Sequence, residues 1–297
     1  MKKILYLFIV LFLFSCGEEG KGGSEKEVEN DSIIVNPNDL NVSILIDLSD
    51  RIDPVTNPNP TMEYYQRDLE YIKAINKGFL SHIEKKKVIR LNDQMQVFFN
   101  PEPSDPKIND VTKQLKISFD KNTSEDNMDM MAKNYSTLPV GIYESAIKDG
   151  SYVGSDIWEF FKNKVKDYCI KDDHRNILFI LTDGYMYHED SKFSETTKTS
   201  YLTSKLIQSL KLNNSDFKEQ IQKGNLGFVK ANDNLKNLEV VVLGINPEKG
   251  NPFEEAVIKE FWENWFKDMG ITRYQIKSAD LPSNLEPIIT KAITNKN

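Results

Sequence analysis

Three short segments of the chain are almost entirely apolar: residues 42–46, 177–181 and 240–245. Runs of this length and composition are typical of parallel strands that are buried on both faces of a sheet. Shorter candidates for strands are 88–91, 96–99 and 115–119. The pattern therefore predicts a sheet whose central strands are fully buried.

Amphipathic helices are predicted between these strands. Apolar residues recur at three- and four-residue steps over 65–83, 157–168 and 253–269, which places them on one face of a helix. Gly270 follows the last of these segments, as expected where a helix ends. Strands that alternate with helices predict an α/β fold with a doubly wound, mostly parallel central sheet flanked by helices. Sites in such folds form at the carboxyl ends of the strands.

The first residues follow a different pattern. Two lysines precede an apolar run over 4–14, which is followed by Ser15 and Cys16. A basic start, a short apolar core and a small residue at the cleavage position are typical of a secretory signal peptide. The apolar run is well short of the ~20 residues that a membrane-spanning helix needs. Residues 1–15 are therefore predicted to be a signal peptide that is removed.

Residues 13–16, Leu-Phe-Ser-Cys, resemble a lipobox, the site read by the lipoprotein signal peptidase. The resemblance implies that the Cys16 thiol is diacylated and that the Cys16 residue becomes the new N-terminus. The lipid would then anchor the chain in the cell envelope, at the outer membrane. An ordinary signal peptide with a chance cysteine is the alternative. Glu18 and Glu19 loosely resemble the surface-export signals of Bacteroidetes lipoproteins, and they also fit a solvated tether.

Composition divides the rest of the chain into a tether and a domain. Residues 16–39 are rich in Gly, Glu, Lys and Ser and predict a disordered tether, whereas 40–297 suit one α/β domain. Lipidation of Cys16 leaves Cys169 alone, so no disulfide can form within one mature chain. The formal net charge of −7 gives no general attraction to nucleic acid or to an anionic leaflet. Membrane binding is thus assigned to the lipid, and no nucleic-acid partner is expected.

Polar residues follow two of the buried segments. Asp47, Ser49 and Arg51 come after the first, and Asp183 lies within a Thr-Asp-Gly sequence after the second. Thr137 lies between them in the sequence, ahead of a predicted helix. The carboxyl ends of neighbouring parallel strands meet at one edge of a sheet, so these side chains are expected to converge. Their oxygen atoms suit Mg²⁺, Mn²⁺ or Ca²⁺.

This arrangement resembles the metal-ion-dependent adhesion site of the von Willebrand factor A (VWA) family. The family pattern is Asp-x-Ser-x-Ser after the first strand, a Thr from a middle loop, and the Asp of Thr-Asp-Gly after the fourth strand. The resemblance implies that Ser49 and Thr137 bind the ion through their hydroxyls, and that Asp47 and Asp183 bind it largely through waters. The open position of the ion would then take a carboxylate from an unknown partner protein.

Arg51 departs from the family pattern, because it replaces the second serine. A guanidinium is always charged and offers no acceptor to a metal. Two arrangements are open at this position. Either Arg51 points away into solvent and a water completes the ion's shell, or it pairs with Asp47 or Asp183 and takes the place of the ion.

The expected function is binding rather than catalysis. Tyr185 and Tyr187 lie close to the predicted site and are candidate partner contacts, or they pack against the domain. The sequence contains neither Gly-x-Ser-x-Gly nor Gly-x-x-x-x-Gly-Lys. A membrane-tethered, non-enzymatic module for adhesion or assembly is therefore expected. The alternatives are a metal-dependent phosphoesterase-like hydrolase and a solute-binding lipoprotein.

Overall fold

A six-stranded sheet forms the centre of the computed structural model, which describes residues 38–103, 105–152 and 154–294. The strands of the chain are β1 (Leu40–Ile46), β2 (Asp93–Phe99), β3 (Ile117–Phe119), β4 (Arg175–Leu181), β5 (Ser194–Glu195), β6 (Lys198–Thr199), β7 (Gly227–Phe228), β8 (Leu238–Ile245) and β9 (Arg273–Ser278). The central sheet has the order β3-β2-β1-β4-β8-β9, and only the β2–β3 pair is antiparallel. Strands β5, β6 and β7 form a small separate sheet.

Helices cover both faces of the central sheet. They are α1 (Tyr64–Ile83), α2 (Pro106–Lys113), α3 (Glu125–Asp149), α4 (Ile157–Asn163), α5 (Val165–Cys169), α6 (Ser204–Ser209), α7 (Phe217–Gly224), α8 (Glu254–Asp268) and α9 (Pro282–Thr294). The core on one face includes residues of α1, α2, α3 and α9, and the core on the other includes residues of α4 to α8. The predicted doubly wound, mostly parallel α/β fold is confirmed.

The alternation of side chains along β4 shows why the central strands are apolar throughout. Ile177 and Phe179 belong to the core beneath α1 and α3, whereas Leu178 and Ile180 belong to the core beneath α8. Successive side chains of a strand point to opposite faces, so a strand covered on both sides must be apolar at every position. The second core also buries Trp262, which packs edge-to-face against Phe228.

Three local predictions differ from the structure. Residues 88–91 are not a strand, because Val88–Arg90 forms an exposed 3₁₀ turn with no neighbouring strand. The segment 157–168 is divided into α4 and α5 around Lys164. The segment 136–143 lies inside α3 rather than ahead of a helix, and Pro139 is buried within that helix.

The strand order reverses between β1 and β4, and this reversal positions the candidate site. Connections leave these neighbouring strands in opposite directions, which opens a crevice beyond their carboxyl ends. Asp47 follows β1 and Asp183 lies two residues beyond β4, so both stand at this crevice. Residues 1–37, which include the predicted signal peptide, Cys16 and most of the 16–39 tether, lie outside the described residues. Across the ranges that are described, no helix has the length and apolar composition needed to cross a membrane.

Candidate functional site

A cleft of about 890 Å³ lies at the carboxyl edge of the sheet, where the strand order reverses. The loops after β1, α3, β4 and β8 form its walls. Its charged and tyrosine lining residues are Asp47, Asp50, Arg51, Asp183, Glu248, Lys249, Tyr64, Tyr152, Tyr185 and Tyr187. The volume falls in the range of ligand sites, about 300–1,000 Å³.

Asp47 is held in place by hydrogen bonds to both of its carboxylate oxygens. The Ser49 amide donates to Oδ1 at 2.8 Å, and the Thr182 hydroxyl donates to Oδ2 at 2.8 Å. The Asp47 amide in turn donates to the Leu181 carbonyl at 3.0 Å, which continues the β1–β4 pairing past the end of the strand. Asp47 is therefore a fixed carboxylate at the base of the cleft.

Asp183 lies in a tight turn beyond β4. Its Oδ1 accepts a hydrogen bond from the Tyr185 amide at 3.0 Å, and its carbonyl accepts one from the Asn246 amide at 2.9 Å. Gly184 follows with φ +98°, in the left-handed region that favours glycine. Burial raises the pKa of the Asp183 carboxyl to about 8, with a further increase from the negative charge of Asp47. The neighbouring negative charge of Asp47 thus favours the neutral form of Asp183.

Arg51 points inward and is buried beside both strand ends, with 5% of its surface exposed. Its Nε donates to the Asp47 carbonyl at 3.1 Å and its Nη2 donates to the Leu181 carbonyl at 3.1 Å. Nη2 also donates to Asp68 of α1, and the Tyr143 hydroxyl of α3 donates to the same Asp68 oxygen at 2.8 Å. Arg51 thus connects β1 and β4 to α1 and, through Asp68, to α3.

The charge of Arg51 serves the candidate site as well as the core. Its Nε lies 3.7 Å from Oδ2 of Asp47. Burial would lower the pKa of Arg51, but the negative charges of Asp68 and Asp47 outweigh this effect and raise it. The structure therefore agrees with the second sequence-based arrangement in that Arg51 points inward and pairs with Asp47. It differs in that the shorter ion pair of Arg51 is with Asp68 of α1.

This set of side chains does not fit the Mg²⁺, Mn²⁺ or Ca²⁺ site expected from the sequence. Both oxygens of Asp47 already accept hydrogen bonds, and the Arg51 guanidinium stands close to one of them. A divalent ion between Asp47 and Asp183 would face this fixed positive charge where little water screens it. In the described portion of the chain, no group of three or more His, Cys, Asp or Glu side chains is arranged to hold a metal.

Thr137 does not belong to the cleft, and this corrects the sequence-based assignment. It is exposed on α3, and its hydroxyl donates to the Lys133 carbonyl one turn earlier at 2.9 Å. The end of α3 reaches the cleft at Gly150, which is 13 residues or about 20 Å further along the helix axis. Asp47, Ser49 and Asp183 line the cleft together, whereas Thr137 lies apart from them.

Ser155, rather than Thr137, places a hydroxyl-bearing side chain at the cleft. It is buried, lines the cleft and precedes α4, whose N-cap is Asp156. Its amide donates to the Tyr187 carbonyl at 2.9 Å, and its carbonyl accepts from the Tyr187 amide at 3.2 Å. The Gly-Ser-Asp sequence ahead of an apolar helical segment is a recognisable helix start, and it could have indicated this position.

Asp68 and Tyr152 were also missed by the sequence analysis. Asp68 lies four residues before Ile72 on the apolar face of α1, so its place in the periodic pattern signals a buried carboxylate. Tyr152 lines the cleft, and its buried hydroxyl has no hydrogen-bond partner among the described residues. Nothing in the local sequence marks Tyr152, since its position depends on the loop after α3.

Tyr185 and Tyr187 both line the cleft, and their role as partner contacts stays a prediction. The Tyr185 hydroxyl donates to the buried Glu254 at 2.6 Å and accepts from the Glu248 amide at 2.9 Å. Tyr187 donates to Glu189, and the ammonium of Lys192 lies 5.2 Å from the centre of its ring. Tyr187 is thus held within its own loop, whereas Tyr185 is held by α8 and by the loop after β8.

No protein-family model matches the chain, and no curated protein matches it. Among solved structures, the pilus adhesin SpaC from Lactobacillus rhamnosus GG is similar, with 11% sequence identity and a TM-score of 0.42. The similarity covers 86% of this chain and 30% of the adhesin chain, so this chain spans less than a third of the adhesin's length. A similarity of this size carries no information on function.

Proposed function

We propose that the chain is a lipid-anchored protein of the cell envelope whose VWA-like domain binds a partner protein in the cleft. The observation that carries the proposal is the convergence of Asp47, Ser49 and Asp183 with tyrosine side chains at the reversal of the strand order. The VWA assignment is supported by the Asp-x-Ser and Thr-Asp-Gly sequences, which follow neighbouring strands in the family's order. The anchor is supported by the lipobox-like sequence that ends at Cys16.

The proposed site works with Arg51 in place of a metal ion. The guanidinium lies against the ends of β1 and β4 and offsets the charge of Asp47 from within the protein. This has a consequence for the partner. Without a metal there is no open coordination position for a partner carboxylate, and the cleft surface carries Asp50 and Glu248 in addition. A basic or hydrogen-bond-donating group of the partner suits this surface better than the expected carboxylate.

The tyrosines give the cleft the character of a protein interface. Tyr side chains combine large apolar rings with a polar tip and are enriched in interface cores. The Tyr185 hydroxyl already forms hydrogen bonds with Glu254 and with the Glu248 amide. The side chain therefore loses little conformational freedom when a partner binds. Tyr152 adds a further tyrosine to the lining of the same cleft.

Site-specific photocrosslinking in the producing cells tests this function. We expect a photoreactive phenylalanine analogue at Tyr187 to give a discrete crosslinked product. The same analogue at Tyr168, which is 50% exposed on α5 and outside the cleft, is the matched control and should give none. Equal products from both positions, or no product from Tyr187, would count against a partner in the cleft.

A charge reversal tests the chemistry of the partner. Asp50→Lys places a positive charge at the exposed cleft rim and should abolish the Tyr187 crosslink. Asp110→Lys changes an equally exposed aspartate on α2 and should leave the crosslink unchanged. Chelation of divalent ions should also leave it unchanged, because Arg51 supplies the charge. Loss of the crosslink on chelation would restore the metal-dependent alternative.

A further inference from the structure

A basic and apolar surface lies at the amino-terminal edge of the sheet, at the opposite end of the strands from the cleft. It is formed by residues 85–90, Lys-Lys-Lys-Val-Ile-Arg, between α1 and β2, and is called here the basic turn. Ile89 is 78% exposed and Val88 is 44% exposed. Lys85, Lys87 and Arg90 are exposed as well, and none of them forms an ion pair with a described residue.

The basic turn has a defined backbone. The Arg90 amide donates to the Lys87 carbonyl at 2.8 Å, and the Leu91 amide donates to the Val88 carbonyl at 3.0 Å. Leu91 is buried and anchors the turn to the domain. The exposure of Ile89 is therefore imposed by an ordered turn. The basic turn therefore presents two adjacent apolar side chains and the cations of Lys85, Lys87 and Arg90 to the solvent.

The chain enters the domain beside the basic turn. The carbonyl of Asn38, the first described residue, lies 2.9 Å from Nε2 of His82 and accepts a hydrogen bond from Lys86 at 2.8 Å. Lys86 also pairs with Asp39 at 2.7 Å. Ile89 is three residues from Lys86, so its Cα lies within about 11 Å of the Cα of Lys86, whose side chain contacts the point where the tether enters the domain.

We infer that the basic turn contacts the anionic lipid headgroups of the membrane that carries the lipid anchor. This inference rests on the proposed attachment at Cys16. The tether predicted from the composition of residues 16–39 would span about 25 Å as a random coil, which would keep the turn at a high effective concentration near the bilayer. The cations would meet the lipid phosphates while Ile89 and Val88 enter the headgroup region.

The contact also gives the domain an orientation. The net charge of −7 predicts no general attraction to an anionic leaflet, but the basic turn concentrates positive charge at the edge where the tether enters. Because the attraction comes from the cations of the basic turn, the contact should require anionic lipid, and the exposed carboxylates of Glu84 and Asp173 at the same edge oppose part of this attraction. With the basic turn on the membrane, the cleft faces away from it at the far ends of the strands, about 20 Å higher.

A single fluorophore on the lipidated full chain tests the contact. In that chain Cys16 is blocked as a thioether, and Cys169 is buried with the pKa of its thiol raised to about 12. Ile89→Cys therefore provides one reactive thiol for an environment-sensitive dye. Val55→Cys is the matched control, since Val55 is 87% exposed and lies beside the cleft.

The expected result is a shift of the dye emission to shorter wavelength at position 89, with no shift at position 55. It should appear in proteoliposomes that contain phosphatidylglycerol and be absent in phosphatidylcholine alone. Neutralising Lys85, Lys87 and Arg90 to serine should abolish it, whereas neutralising the exposed Lys113, Lys218 and Lys223 should not. An unshifted dye at position 89 in anionic proteoliposomes would overturn the inference.

Other outcomes are also decisive. A shift at position 89 without lipid that grows with protein concentration would assign the basic turn to a second copy of the chain and overturn the inference. Intact mass spectrometry of the same sample reports lipidation separately. An unlipidated chain would refute the anchor, and its dye signal on added anionic vesicles would still show whether the basic turn binds lipid.

Discussion

Arg51 is the residue whose role depends most on its surroundings. Its guanidinium has Asp68 on one side and the Asp47 and Leu181 carbonyls on the other, and nearly all of it is buried. Removal of one member of a buried ion pair leaves the other charge without a partner and costs about 3–5 kcal/mol. Arg51 therefore combines two tasks, since it completes the core and offsets the charge of the candidate site.

The first prediction concerns Arg51→Ser. We expect it to lower the free energy of unfolding by about 3–5 kcal/mol in urea titrations, because Asp68 loses its ion pair. Lys113→Ser breaks the exposed Lys113–Asp110 pair and should change the free energy of unfolding by no more than about 1 kcal/mol. Equal effects of the two changes would show that the Arg51–Asp68 pair does not matter for stability.

Calorimetry separates the two arrangements of the site. With Arg51 inside, the wild type should show no heat of binding with millimolar Mg²⁺. Arg51→Ser removes the guanidinium and adds a hydroxyl beside Asp47 and Asp183, so it should gain Mg²⁺ binding and recover part of the lost stability. Mg²⁺ binding by the wild type would contradict the proposed role of Arg51.

The second prediction concerns the turn that carries Asp183. A Cβ at Gly184 would lie 2.6 Å from side-chain carbons of Ile245 and Ile258, at φ +98°. Gly184→Ala should therefore destabilise the fold by about 2–4 kcal/mol in urea denaturation. Gly141 lies inside α3 with nothing within 4 Å of an added Cβ, so Gly141→Ala should stabilise the fold by about 0.5–1 kcal/mol. If Gly184→Ala leaves the free energy of unfolding unchanged, the side chains around this turn can shift to accommodate the added methyl group.

At the scale of elements, the Asp93 carboxylate joins three elements at the amino-terminal edge of the sheet. Asp93 begins β2 and accepts hydrogen bonds from the Leu40 amide of β1 at 2.8 Å and from Lys86 after α1. His82 of α1 lies 3.4 Å away. Burial would raise the pKa of Asp93, but these donors outweigh it and the pKa is lowered. Two strands and a helix end are thus joined at a buried charge.

The third prediction is the pH dependence of Asp93→Asn. A lowered pKa means that the folded state binds fewer protons than the unfolded state near the carboxyl's ordinary pKa of about 3.9. The contribution of Asp93 is therefore complete above that pH and is lost as pH falls through the lower pKa of the folded state. We expect Asp93→Asn to cost about 1–3 kcal/mol at pH 7 in urea titrations.

The difference in the free energy of unfolding between wild type and Asp93→Asn should become smaller as the pH is lowered below about 4. Asp110→Asn, on the exposed face of α2, is the control and should differ little from wild type at any pH. If the difference in the free energy of unfolding between wild type and Asp93→Asn stays constant down to pH 2, the carboxylate charge of Asp93 does not stabilise this edge.

At the scale of the whole molecule, the cleft and the entry of the tether lie at opposite ends of the strands. The basic turn and Asn38 lie at the amino-terminal edge, and Asp47 and Asp183 lie at the carboxyl edge. A partner at the cleft and a membrane at the basic turn would not compete for space. The proposed anchor and the proposed binding site are therefore compatible within one domain.

The fourth prediction concerns the anchor. Cys16→Ala should abolish incorporation of a labelled fatty acid and move the protein from the membrane fraction to the soluble fraction, because the thioether needs the Cys16 thiol. Cys169→Ala removes the buried cysteine and should label like the wild type. Equal labelling of the wild type and Cys16→Ala would refute the lipoprotein assignment.

The sequence by itself determined the features that depend on local pattern. The apolar runs became β1, β4 and β8 because a strand covered on both faces must be apolar throughout. The periodic stripes became α1 and α8 for the corresponding reason in helices. Asp47 and Asp183 could be assigned to one edge because parallel strands end together.

Only the tertiary structure decided which side chains meet across elements. Arg51 pairs with Asp68 of α1. Ser155, rather than Thr137, lines the cleft. The apolar pair Val88 and Ile89 remained exposed, because the segment forms a 3₁₀ turn instead of a strand of the sheet. These outcomes depend on how far each helix extends and on which loops converge at a strand end. Local periodicity records the buried face of an element but not the neighbour that covers it.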